Sequence, residues 1–184
     1  MMLSSEDIHK AIQDGHLAIS PFDPKCVRPA GITLHLGETL LRPIPGKVVD
    51  VKNKVTPDYE TILIDTDKPY LLESGGFVLG ATDEAVTVGS NIGFLIEGRS
   101  TLARVGLTIV QTAMLVYPGH TNRAITLELA NHGPNPILLY KRMKIARAAI
   151  FELKTPSKQN YDTYGKYRTQ ADVGPPIFED EFGE

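Results

Sequence analysis

Hydrophobic and polar residues alternate with period two along much of this chain. The cleanest run is Ala124 to Ala130, where Ile125, Leu127 and Leu129 share one face and Thr126, Glu128 and Ala130 the other. Ile32, Leu34 and Leu36 alternate with Thr33 and His35, which predicts a half-buried strand. Further short strands are expected at Leu17–Ile19, Leu40–Arg42, Val48–Val51, Thr61–Ile64, Tyr70–Leu72, Phe77–Ala81, Ala85–Val88 and Ile92–Ile96. Gly106–Gln111, Ile137–Tyr140 and Ile145–Phe151 complete the set, with Pro, Gly, Asp and Asn between the runs. Helical spacing is confined to two places. Ser4 with Asp7 three residues on is a capping-box variant, Leu3 and Ile8 can staple it, and Gly15 ends the helix. Ser100 to Val105 predicts one helical turn. Many short strands at close spacing predict a sandwich or barrel.

Composition narrows this picture. A chain of 184 residues is expected to form one domain with a sizeable core, and 13 prolines with 16 glycines favour a turn-rich β fold. The net charge of −3 gives no global attraction to nucleic acid or an anionic membrane, so an anionic ligand needs a local basic site. Lys141-Arg142-Met143-Lys144 reads as a basic turn rather than a nucleic-acid site. Asp50, Asp58, Asp65 and Asp67 fall at strand ends, where Asp is favoured by turns. The single cysteine, Cys26, allows no intrachain disulfide and fits a reducing compartment. It also excludes the paired-cysteine zinc site of ordinary cytidine deaminases. His9, His16, His35, His120 and His132 show no metal-ligand spacing. No apolar run approaches about 18 residues and no signal-peptide pattern is present, so a cytoplasmic protein without membrane partners is expected.

The candidate chemistry is concentrated between Gly98 and Asn131. Ser100 and Arg104, four apart, share a face of the helical turn, and Arg99 stands at its start. A serine, two guanidiniums and free backbone N–H groups suit a phosphate, or else form a capped surface turn with solvated arginines. At the other end Glu128 lies mid-strand between apolar neighbours. It is either a carboxylate on a solvated sheet face or a partly buried general acid/base whose pKa burial would raise.

Gly98-Arg99-Ser100-Thr101-Leu102-Ala103-Arg104-Val105-Gly106-Leu107, then Thr112-Ala113, Pro118-Gly119 and Ile125-Thr126-Leu127-Glu128 resemble, in order, the motifs of the dCTP deaminases in the dUTPase-like superfamily. The opening, Leu3-Ser4 through Pro21-Phe22, and the run Lys166-Tyr167-Arg168-Thr169-Gln170 resemble that family's two ends. The resemblance spans about residues 2–172. It implies a mainly β, distorted β-barrel of the dUTPase-like type, with a short N-terminal helix and one turn near 100–105. It implies one domain over 1–172, whose segment 154–172 covers the nucleotide, followed by a flexible acidic tail over 173–184. It further implies a homotrimer with sites between subunits and zinc-free deamination of dCTP to dUTP and ammonia, with Mg²⁺ carried by the triphosphate. By the resemblance Glu128, Ser100 and Arg104 are catalytic. Arg99, Thr101, Leu102, Ala103, Thr112, Ala113, Tyr117, Thr126, Leu127, Lys166 and Gln170 join them in binding substrate, with either Tyr161 or Tyr164 as the upstream tyrosine of the tail. The nucleotide partners are dCTP and dUTP, with dTTP a further candidate. Departures from the family pattern are Thr33 and Tyr117, each where an Asp is usual, Met114, and a loop His120–Ala124 longer by about one residue. A tyrosine cannot act as a carboxylate, so Tyr117 argues against the alternative of a bifunctional enzyme forming dUMP. Bifunctional members often carry Gln where Arg147 stands. The remaining alternative is a non-catalytic nucleotide-binding member of the fold.

Overall fold

The computed structural model describes residues 1–179 and residue 181. Its first element is α1 (Ser5–Gln13). Ser4 caps it: the Ser4 hydroxyl accepts from the Asp7 N–H at 3.2 Å, and the Asp7 carboxylate accepts from the Ser4 N–H at 3.1 Å. Ile8 and Ala11 turn inward as their spacing predicts.

Fourteen strands are found among the described residues. They are β1 (Leu17–Ser20), β2 (Val27–Arg28), β3 (Gly31–His35), β4 (Thr39–Pro43), β5 (Tyr59–Leu63), β6 (Tyr70–Leu72), β7 (Phe77–Ala81), β8 (Ala85–Val88), β9 (Ile92–Glu97), β10 (Leu107–Thr108), β11 (Leu115–Val116), β12 (Thr126–Asn131), β13 (Ile137–Leu139) and β14 (Lys144–Glu152). Two short helices, α2 (Ser100–Ala103) and α3 (Tyr161–Tyr164), and a 3-10 turn at Pro24–Cys26 complete the set. All strand pairs are antiparallel. They form two five-stranded sheets, β10-β12-β7-β4-β5 and β11-β9-β14-β3-β2, and two hairpin-sized pairs, β1-β8 and β13-β6. The large sheets share one core and are tied by a bridge between Leu36 and Thr82, without closing into one continuous barrel. The fold is therefore mainly β and a barrel only in the distorted sense expected.

Three local expectations are corrected. Val48–Val51 is not a strand; it sits in a turn closed by an Asp50–Val55 bridge with its valines exposed, since no neighbouring strand covers them. The strand after α2 is confined to Leu107–Thr108, because β12 is its partner only at Ala130 and Asn131. β3 is buried along its whole length rather than on one face, lying between β14 and β2. Its polar residues are paired accordingly. The Thr33 hydroxyl accepts from Arg28 at 3.3 Å, and His35 Nδ1 lies 2.5 Å from the Glu84 carboxylate. Cys26 is buried, and burial pushes its thiol above the ordinary value.

Candidate active site

Strand β12 carries the central residue. Leu127 and Leu129 enter the core and are fully buried, so the period-two pattern turns Glu128 to the opposite face. There Glu128 stands opposite Leu79 of β7, and Phe77 stands opposite Ala130 one step along. These apolar neighbours desolvate the carboxyl and raise its pKa, a shift only partly offset by hydrogen bonding. The Gln111 N–H donates to the Glu128 carboxylate at 3.3 Å, and the Glu128 N–H donates to Ile109 O at 3.0 Å. The backbone of Glu128 therefore faces β10, and Thr126, two residues earlier, turns the same way beyond the end of β10.

Glu128 lines a cavity of about 500 Å³. Phe77, Leu79 and Tyr59 contribute from β7 and β5, and Leu115 and Val116 from β11. One side is the loop carrying Ala113, Tyr117, His120 and Arg123; the other is the C-terminal segment, with Tyr161, Tyr167 and Gln170. Tyr117 and Tyr161 stack with ring centroids 6.1 Å apart and planes 6° from parallel. Tyr164 meets both edge-on, and Gln170 donates to the Thr126 hydroxyl at 2.8 Å. His120 is buried, which lowers its pKa and keeps it neutral near pH 7; its Nε2 lies 3.2 Å from Arg123 O. Among the described residues, Glu128 is the only carboxyl group on the wall.

Of the residues expected at a site, Glu128, Thr126, Ala113, Tyr117, Tyr161 and Gln170 line this cavity. Tyr161 rather than Tyr164 is the tyrosine on its wall. Arg99, Ser100, Thr101, Leu102, Ala103, Arg104, Thr112, Leu127 and Lys166 do not line it within one chain. Ser100, Thr101, Ala103, Arg104 and Thr112 are exposed, whereas Leu102 packs on the core. Arg99 donates to Lys144 O at 3.0 Å, and its Nε is buried without a hydrogen-bond partner. Lys166 pairs with Glu181. Of the acidic end expected to be flexible, residues 180 and 182–184 lie outside the described residues, and Gly174-Pro175-Pro176 line the cavity. His120 and Arg123 were not singled out by the sequence. The available signal was a charged residue inside the lengthened loop.

The overall architecture matches that of the 2′-deoxycytidine 5′-triphosphate deaminase of Agrobacterium tumefaciens, with a TM-score of 0.64 at 14% identity, over 92% of this chain and 53% of that one. This chain thus spans about half the length of that structure. A family model described as dCTP deaminase-like matches residues 2–153, and the chain belongs to that family. A Salinispora arenicola protein named "dCTP deaminase, dUMP-forming" is 34% identical over 180 residues, 95% of this chain and 92% of the relative. Proteins of the same name from Corynebacterium kroppenstedtii (36% over 163 residues; 88% and 87% covered) and a Nocardioides species (36% over 179 residues; 95% and 93% covered) are similar in the same way. Among the described residues no group of three or more His, Cys, Asp or Glu is placed to hold a metal, and no helix is long and apolar enough to cross a membrane.

Proposed function

We propose that the chain is a hydrolytic dCTP deaminase and that Glu128 moves the protons. The observation that carries this reading is a carboxyl with a raised pKa at the floor of an aromatic-walled cavity. Water adds to C4 of cytosine while Glu128 takes its proton and delivers it to N3. A second transfer lets ammonia leave, giving the uracil ring. A carboxyl whose pKa burial raises can both take and give back the proton. The Thr126 backbone, turned toward the open side of β12, offers a fixed donor and acceptor to the base edge. Magnesium belongs to the substrate here: it offsets triphosphate charge, and no protein carboxylate is assigned to it.

A homotrimer is part of the proposal. Ser100 at the start of α2 and Arg104 capping its end are exposed and do not line the cavity of their own chain. Val105, next to Arg104 in the chain, and Met114 are 53% and 40% exposed, apolar side chains that a second copy could cover. A neighbour's α2 would bring a phosphate-binding turn to the nucleotide. Mixing Glu128→Gln subunits with Arg104→Ala subunits tests this, because shared sites regain activity in mixed trimers. Activity that stays absent in verified mixed trimers refutes sharing.

The names of the relatives support dUMP as the final nucleotide product. Tyr117 favours the second reading, release of dUTP, because a phenol does not replace a carboxylate base at that position. Incubation with Mg²⁺ and dCTP, followed by nucleotide chromatography, decides between them. Direct appearance of dUMP supports the first and accumulating dUTP the second. An absence of any uracil nucleotide refutes the deaminase reading.

A further inference from the structure

The arm from Asn160 to Gln170 meets the loop Tyr117–Ala124 through direct contacts. Asn160 lies against Gly119, whose φ of +79° and missing Cβ leave room for it; a Cβ there would collide with Asn160. The Tyr161 N–H donates to Pro118 O at 3.0 Å, and the Asp162 N–H donates to Gly119 O at 3.3 Å. The stack of Tyr161 on Tyr117 extends the same seam.

Arg123 stands at the centre of it. Its guanidinium lies 5.7 Å from the centroid of the Tyr161 ring and forms an ion pair with Asp162. The side chain is only 13% exposed, and its Nε is buried with no hydrogen-bond partner. Burying an unpaired donor is unfavourable, so the contacts to Tyr161 and Asp162 must hold the guanidinium in place. Burial alone would raise the Asp162 carboxyl, but hydrogen bonds from Thr121 and Arg123 and the Arg123 charge bring it below its ordinary value. The pair is therefore charged throughout the neutral range.

We infer that Arg123 is a positioning residue that latches the arm over the cavity and so holds Tyr161 in its wall. The nature of the ligand rests on the deaminase reading above; the latch itself does not. Contacts that favour the closed arm reduce the ordering cost of binding, and apparent affinity falls in proportion when the closed fraction falls.

Hydrogen exchange on the nucleotide-free protein reads the latch directly. The amides of residues 161–165 are expected to be protected in the wild type and to exchange about tenfold faster in Arg123→Gln. In turnover of dCTP, Arg123→Gln is expected to raise KM about five- to tenfold with a smaller fall in kcat. Asp162→Asn should act in the same direction, and the double variant should be no worse than Arg123→Gln, since both break one contact. Arg123→Lys keeps the charge without the planar stacking and should recover part of the protection. Equal exchange in wild type and Arg123→Gln overturns the latch. So does a purely structural pattern, in which both single variants lower Tm additively and leave KM unchanged. If the wild type fails to convert dCTP, the deaminase reading falls, while the exchange result still decides the latch.

Discussion

The floor and the cover of the cavity are built by different means. The floor is β12, whose residues Thr126 to Ala130 pair in register with Ala81 to Phe77 of β7, with Leu127 and Leu129 fully buried beneath. The cover is the arm around α3, held mainly by ring contacts, one ion pair and two backbone hydrogen bonds to Pro118 and Gly119. Backbone ladders fix a side chain's origin closely, which a proton-transferring carboxyl requires. Side-chain contacts of modest strength let a segment close and reopen, which ligand entry requires. The difference separates two kinds of damage: loss of chemistry or fold below, loss of affinity above.

Glu128→Gln should have the largest effect. Turnover is expected to fall by at least about 10³-fold while dCTP binding, measured by calorimetry, is retained. Wild-type-like turnover would remove Glu128 from the mechanism. The same change should raise Tm by about 1–3 °C at pH 7–8. The sign follows from burial. The folded-state pKa is raised, so the ionised carboxyl destabilises the fold. That cost appears as pH rises through the ordinary Glu range and is complete above the raised value. For the wild type, kcat/KM should accordingly fall with acid through a pKa above that of an ordinary Glu.

Leu129→Ala, under the floor, should cost about 2–4 kcal/mol by denaturant unfolding. Gly119→Ala should push Asn160 away and raise KM about tenfold, with a Tm change of only about 1–2 °C. If Gly119→Ala lowers stability as much as Leu129→Ala, the cover belongs to the fold as fully as the floor and the comparison fails. Tyr117→Phe should change KM by less than about twofold, because stacking needs the ring and not the hydroxyl. A larger change would show the hydroxyl bonded to substrate.

Most strands were legible because their apolar periodicity survives in three dimensions. β12 is the clearest case, and its pattern alone placed Glu128 opposite the core. Val48–Val51 misled because valine favours strands locally, while a strand needs a partner that this turn lacks. Thr33 and His35 read as the polar face of a half-buried strand because period two reports two faces without saying what covers each; here Arg28 and Glu84 do. The cavity was legible only in part. Glu128, Tyr117 and Gln170 sit in recognisable motifs, but Phe77, Leu79 and Tyr59 reach the wall through strand pairings that bring distant segments together. Arg123 carries no motif, and its partners Tyr161 and Asp162 lie some forty residues away.

Cys26 has a practical consequence. It is the only cysteine in the sequence, it is buried, and burial keeps its thiol protonated. The molecule therefore presents a silent background to thiol-directed probes. A single cysteine introduced at Thr163, exposed on the arm, would carry a fluorophore or spin label at one defined point. Opening and closing of the segment could then be followed in real time, without first removing a native cysteine.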